Sequence, residues 1–217
     1  MNEEINKSIL KSNTSLVGIV CRDGVVMGAD RRVTAGTLVM DKNYTKILEI
    51  NDYIIAAFTG GVADAQLVKK MLAAELRLKE LSTKTRPTIK EAAHLLSLMT
   101  YRGIRTPTMI PNIVGTLIAG VDENGVVELY TVEPAGGVYQ VKEYDSNFSS
   151  GMPYILGLLE RQYKKDLSVK DAVELAKEAL KASTQRDVGS GNGIDVFAIT
   201  KDGIKHVISE GIIPEYK

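Results

Sequence analysis

Apolar residues alternate with polar ones, or run unbroken for a few residues, through the first sixty positions, and a helical period replaces this pattern only afterwards. Ser15 to Cys21 is β-branched and apolar, Arg22-Asp23-Gly24 reads as a turn, and Val25 to Ala29 returns. Asp-Gly between two such runs signals a hairpin. Lys46 to Ile50 alternates toward a turn at Asn51-Asp52, and Tyr53 to Phe58 is nearly continuous in apolar residues, the mark of a strand covered on both faces. From Ala63 onward Leu67, Met71, Ala74, Leu78 and Leu81 share one helical face, which is the face expected to pack, with Lys69, Lys70, Glu75 and Arg77 largely opposite. Thr88 followed by Glu91 forms a capping-box pair that starts a second helix carrying Ala92, Leu95, Leu96 and Met99.

Strands resume at Ile113 to Val121 and Val126 to Val132, separated by Asp122-Glu123-Asn124-Gly125 and followed by a turn at Pro134 to Gly137. A short helix is predicted over Tyr154 to Gln162 and a longer one after Ser168, through Val173, Ala176 and Leu180. Ile194 to Thr200 and Ile204 to Ile208 close the chain around Lys201-Asp202-Gly203. The order is strands, two helices, strands, two helices, strands. Tight turns make neighbouring strands antiparallel, and paired helices must cover a sheet face. The expected fold is therefore α+β, two antiparallel sheets packed on each other with helices outside, in one domain.

Composition narrows the possible partners. The 217 residues carry 27 basic and 27 acidic side chains, so the net charge is zero, which argues against a dedicated nucleic-acid or membrane-surface binder. Cys21 is the single cysteine, so no internal disulfide can form, and it is expected to be a small buried hydrophobe at a strand end. Residues 1–13 lack a signal-peptide core, and no stretch approaches the roughly 20 apolar residues of a membrane span. A cytoplasmic protein is expected.

Few residues offer catalysis in a familiar form. His94 and His206 have no carboxylate at metal-ligand spacing and are expected to be structural, so neither a metal nor a cofactor is anticipated. Thr59-Gly60-Gly61-Val62 joins a strand to a helix without a phosphate-binding motif. Thr14 is different. If the chain were cut after Asn13, Thr14 would carry a free α-amine beside its own hydroxyl, and that amine can act as the base that activates it.

The run Thr14-Ser15-Leu16-Val17-Gly18-Ile19-Val20-Cys21-Arg22-Asp23-Gly24-Val25-Val26 resembles the mature start of a proteasome β subunit of the archaeal type. The likeness continues through Ala29 to Gly36, Lys46-Ile47, Thr59 to Gln66, Ser150-Gly151 and Arg186 to Val196. It implies a four-layer αββα sandwich of the N-terminal-nucleophile hydrolases, with residues 1–13 as propeptide and 14–217 as the catalytic domain. It also implies that Thr14 is the nucleophile of a threonine endopeptidase, released by autocatalytic cleavage between Asn13 and Thr14. Lys46 then matches the catalytic lysine, Asp30 holds that lysine, and Gly60 supplies the oxyanion-hole N–H. Ser150, Asp187 and Ser190 surround the terminal amine. Thr34 binds extended substrate through its backbone, while Val33, Tyr44, Leu48, Phe58 and Val62 line the specificity pocket, which implies cleavage after apolar residues.

The partners implied are other β subunits in a heptameric ring, α-subunit rings, an ATPase activator and unfolded polypeptide. The chain departs from the family pattern at Asn13, where glycine is usual, and at Val188 and Gly189, where alanine or small polar residues are. A side chain before the threonine is expected to slow maturation, and while the leader remains the precursor is inert, because an amide nitrogen accepts no proton. Three alternatives stay open: a noncatalytic structural β subunit that keeps its leader, a simpler bacterial two-ring protease of the same fold, and a noncatalytic α subunit.

Overall fold

The computed structural model describes residues 11–212, with the side chains of Lys11 and Ser12 excepted. Residues 1–10, most of the expected propeptide, and residues 213–217 lie outside the described residues.

The strands are β1 (Lys11–Ser12), β2 (Leu16–Cys21), β3 (Gly24–Asp30), β4 (Val33–Ala35), β5 (Leu38–Asp41), β6 (Ile47–Asn51), β7 (Ile54–Gly61), β8 (Val114–Val121), β9 (Val127–Val132), β10 (Val138–Gln140), β11 (Tyr144–Asp145), β12 (Gly193–Thr200) and β13 (Gly203–Gly211). Among the described residues four helices separate them: α1 (Val62–Thr83), α2 (Ile89–Arg105), α3 (Met152–Gln162) and α4 (Val169–Thr184). One sheet runs β10-β9-β8-β7-β1-β4-β5 with β6 also on β7; the other runs β11-β2-β3-β12-β13. Every pairing is antiparallel. Helices α1 and α2 cover the first sheet, α4 lies on the second with α3 beside it, and β3 and β12 meet β7, β8 and β9 between the layers. The expected αββα sandwich is the observed one.

Local chemistry sets the boundaries. Thr88 accepts from the Glu91 N–H while the Glu91 carboxylate accepts from the Thr88 N–H, which satisfies two of the unpaired donors at the start of α2. Ser168 accepts from the Asp171 N–H in the same way at the start of α4. Strands β3, β7, β8 and β12 are buried along almost their whole length because both sheet faces are covered, which explains their unbroken apolar runs.

One helical face is opposite to expectation. Val62, Ala65, Val68, Leu72 and Leu76 are the buried residues of α1, whereas Leu67, Met71, Leu78 and Leu81 are exposed. The helix carries two apolar stripes, so periodicity alone does not choose between them. The choice is made by Val62, which leaves the end of β7 already buried and fixes the rotation of everything after it. Leu72→Ala should therefore lower stability by about 2–5 kcal/mol, the usual loss for a buried leucine, and Leu78→Ala by less than about 0.5 kcal/mol. Denaturant unfolding of the two variants checks this; the reverse order would restore the face read from the sequence.

Other elements were hidden. The β4–β5 hairpin, β10 and β11 are too short for a period to register, and Leu38, Val39 and Met40 in β5 are exposed apolar residues. Cys21 ends β2 half-buried, and burial with the nearby Asp23 charge pushes its thiol up to about 12, well away from reactive thiolate. Among the described residues no helix is long and apolar enough to cross a membrane.

Candidate active site

Thr14 sits between the leader strand β1 and the core strand β2, and its side chain is buried among groups that arrive from both sheets. Asp30, the last residue of β3, organises the centre. Its Oδ1 accepts from the Ser15 N–H at 2.9 Å and from Lys46 Nζ at 2.7 Å, and its Oδ2 accepts from the N–H groups of Arg32 and Gly191, each at 2.9 Å. A fully buried carboxylate is tolerable only with such partners. Antiparallel pairing of β2 with β3 sets Leu16 opposite Ala29, so Ser15 and Asp30 face each other at the next step.

Lys46 precedes β6, and its side chain is as buried as that of Asp30. Burial holds its ammonium below the usual lysine range; the charge and hydrogen bond of Asp30 oppose this, Asp187 adds to the opposition, and Arg32 adds to the lowering. Lys46 Nζ also donates to the Asn13 carbonyl oxygen at 2.9 Å. The buried cation thus touches the acyl oxygen of the Asn13–Thr14 peptide bond.

A hydroxyl network lies beside the nitrogen of that bond. Thr14 N–H donates to Ser150 Oγ at 3.0 Å, and Ser150 Oγ donates to Asp187 Oδ2 at 2.6 Å. Ser190 Oγ donates to the same carboxylate oxygen at 2.5 Å and accepts from Ser15 Oγ at 2.8 Å. The Gly151 N–H meanwhile donates to the Thr14 carbonyl at 3.1 Å. Thr14, Asp30, Lys46, Ser150, Asp187 and Ser190 are therefore joined in one connected constellation, although they are spread over 177 positions of sequence (Thr14 to Ser190, both included).

Gly60 is the register partner of Ser12, and it has a φ of 110°. A Cβ there would also sit 2.0 Å from the Ile113 carbonyl oxygen, so conformation and space both demand glycine. The leader strand lies between β7 and β4, pairing Lys11 with Gly61 on one side and with Thr34 on the other. The apolar positions do not all share one environment. Phe58 belongs to the main core with Leu48 packed against it, whereas Val33, Tyr44 and Val62 lie outside that cluster.

Sequence reading missed several supports. Ser183 on α4 holds Ser15 Oγ at 2.6 Å, and a Cβ on Gly151 would collide with both hydroxyls. A serine in the buried stripe Ala172, Ala176, Ala179, Leu180 and Ser183 was a readable signal, since a buried hydroxyl requires a partner. Arg32 donates to the Val188 carbonyl at 2.9 Å and to Asn192 Oδ1 at 2.8 Å, tying the loop that carries Asp187 and Ser190. Asn147 donates to the Thr116 carbonyl and to Thr131 Oγ1, anchoring the segment that delivers Ser150.

His94 is exposed on α2. His206 does meet a carboxylate, Asp195 at 2.9 Å, which its sequence neighbours concealed because the partner lies across the β12–β13 hairpin. Arg31 donates to both oxygens of Asp195, and His206 stacks on Phe197, which makes this a structural cluster. Among the described residues no group of three or more His, Cys, Asp or Glu is placed to hold a metal ion.

Residues 10–199 match the family model described as Proteasome subunit. The chain is 40% identical over 197 residues to the proteasome subunit beta of Nanoarchaeum equitans, covering 91% of this chain and 98% of that one. It is 38% identical over 205 residues to the proteasome subunit beta of Methanothermobacter thermautotrophicus, covering 94% of each. With that of Methanocaldococcus vulcanius the identity is 36% over 199 residues, 92% of this chain and 87% of the relative.

Proposed function

The chain belongs to the proteasome subunit family, and from that premise we propose that it is a catalytic β subunit, a threonine endopeptidase that removes its own leader and then hydrolyses peptide bonds of unfolded polypeptides. The observation that carries the reading is the 2.9 Å contact from Lys46 Nζ to the Asn13 carbonyl, beside Thr14. A cation on a carbonyl oxygen draws electron density from its carbon and stabilises the negative charge that nucleophilic addition places on that oxygen.

Leader removal follows from this arrangement. Thr14 Oγ adds to the Asn13 carbonyl carbon, the bond from that carbon to Thr14 N breaks, and the nitrogen receives the proton that the hydroxyl gives up. An ester now joins residue 13 to Thr14 Oγ. Water adds to the ester, leaving a carboxylate on Asn13 and both a hydroxyl and an α-amine on Thr14. An α-amine has a reference pKa of about 7.7–8.0, which suits it to accept and return a proton near neutrality.

Peptide hydrolysis repeats the cycle on a new carbonyl. The amine takes the Thr14 hydroxyl proton, Oγ forms an ester with the substrate acyl group, and the departing amine takes the proton; water then frees the second product. Lys46 and Asp30 hold the charge pattern, Ser150, Asp187 and Ser190 hold the terminal amine, and the Gly60 N–H serves the oxyanion. The leader's place between Thr34 and Gly60-Gly61 supports a substrate bound as an added strand. Val33, Tyr44, Leu48, Phe58 and Val62 are read as the apolar lining beside it, with Phe58 and Leu48 reaching it from the main core. Family membership implies assembly with other subunits; α-subunit rings, a heptameric β ring, an ATPase activator and a cytoplasmic setting complete the reading.

A peptide ending in an electrophile after an apolar residue tests the assignment. Incubated with the assembled protein, it should add to Thr14 alone, as read by peptide mass mapping. Turnover of apolar peptides with the adduct on another residue would refute it.

A further inference from the structure

We propose that Gly189 sets the position of the leader's last residue: the space left by its missing Cβ admits the side chain of Asn13, so that the carbonyl to be cleaved can stay on Lys46 Nζ. The inference rests on the self-cleavage reading above and concerns a residue tied to the constellation by its N–H bond to Asp187.

A Cβ built on Gly189 would lie 2.1 Å from Asn13 Cβ and 3.0 Å from both Cγ and Nδ2 of that side chain. The first distance is more than 1 Å short of ordinary contact. Gly189 is not among the glycines with positive φ, so its backbone makes no demand for glycine; space alone does. The loop cannot simply recede. Arg32 holds the Val188 carbonyl, Asp187 accepts from the Gly189 N–H at 3.2 Å, and the Gly191 N–H is bound to the buried Asp30. Asn13 Cβ cannot swing away on a rotamer either, because it is fixed to the Cα beside the reacting carbonyl. An alanine at 189 therefore displaces that carbonyl from Lys46 Nζ. Misplacement of reacting groups by about 1 Å is enough to cost about 100-fold in rate. Asn13 and Gly189 thus act as a matched pair.

Leader loss is followed by intact mass over time in assembled particles of the unsubstituted protein, Gly189→Ala, and Gly189→Ala combined with Asn13→Gly. The unsubstituted protein should shed residues 1–13, the single variant should do so about 100-fold more slowly, and the double variant should recover to within a few-fold. The double variant carries the same alanine, so its recovery also shows that the loop and the rings survive the substitution. Leader loss from Gly189→Ala at the unsubstituted rate overturns the pairing, as does a double variant no faster than the single one, whatever the cause. Retention of the leader by the unsubstituted protein is a separate outcome that overturns the self-cleavage reading and the pairing with it.

Discussion

Thr14→Ala should keep residues 1–13 attached on every copy and reduce peptide hydrolysis to background. Both losses have one cause. In the proposed function the Thr14 hydroxyl attacks the Asn13 carbonyl during maturation and the substrate carbonyl afterwards, and alanine offers neither oxygen nor proton. Removal of a nucleophile has cost about a million-fold in other hydrolases, so the residual rate should be undetectable. The fold should remain, because the Ser15 N–H bond to Asp30 and the Gly151 N–H bond to the Thr14 carbonyl use backbone that alanine retains. Thr14→Ser keeps a hydroxyl at the same place and should recover part of both reactions. Leader loss from a purified Thr14→Ala particle would assign maturation to another protease and remove the 2.9 Å Lys46–Asn13 contact from its explanation.

The second large effect belongs to Lys46. Lys46→Ala should abolish measurable peptide cleavage, a loss of at least about 100-fold on the scale of other electrostatic contributions to catalysis. It should also lower stability, because it leaves the Asp30 carboxylate buried without its cation. Breaking one side of a buried pair costs about 3–5 kcal/mol, and the three backbone N–H groups that Asp30 keeps should hold the loss toward the lower end. Inactivity alone would not separate chemistry from misfolding. A cooperative thermal unfolding transition in an inactive Lys46→Ala particle assigns the loss of activity to chemistry, since Asp30 still accepts from the Ser15, Arg32 and Gly191 N–H groups. Full peptidase activity in Lys46→Ala would take this residue out of the mechanism.

The hydrophobic pattern was enough for the layered fold because long covered strands and capped helices announce themselves. Tyr53 to Phe58 is unbroken because both faces of β7 are packed, and Thr88 with Glu91 marks a helix start by chemistry as well as by period. The α1 face was misread for a physical reason: Leu67, Met71, Leu78 and Leu81 make as good a stripe as Val68, Leu72 and Leu76, and only the exit from β7 decides between them. The candidate site was legible through resemblance, since no local spacing connects Asp30 with Gly191 or Ser150 with Asp187. Those contacts depend on which strand ends meet. Arg32 and Ser183 were invisible for the same reason, and the fit of Asn13 against Gly189 appears only when the leader and the loop after α4 are seen together.

Under the proposed function, residues 1–13 would silence the unprocessed chain in two ways at once. Its amide takes the place of the amine at Thr14, and β1 occupies the position between β4 and β7 where a substrate strand would pair. A single bond cleavage relieves both. Intact-mass measurement of the assembled, peptidase-active particle therefore tests the central claim most directly. A chain that begins at Thr14, lighter by residues 1–13, is the predicted result; an active particle in which every copy still begins at Met1 would contradict it.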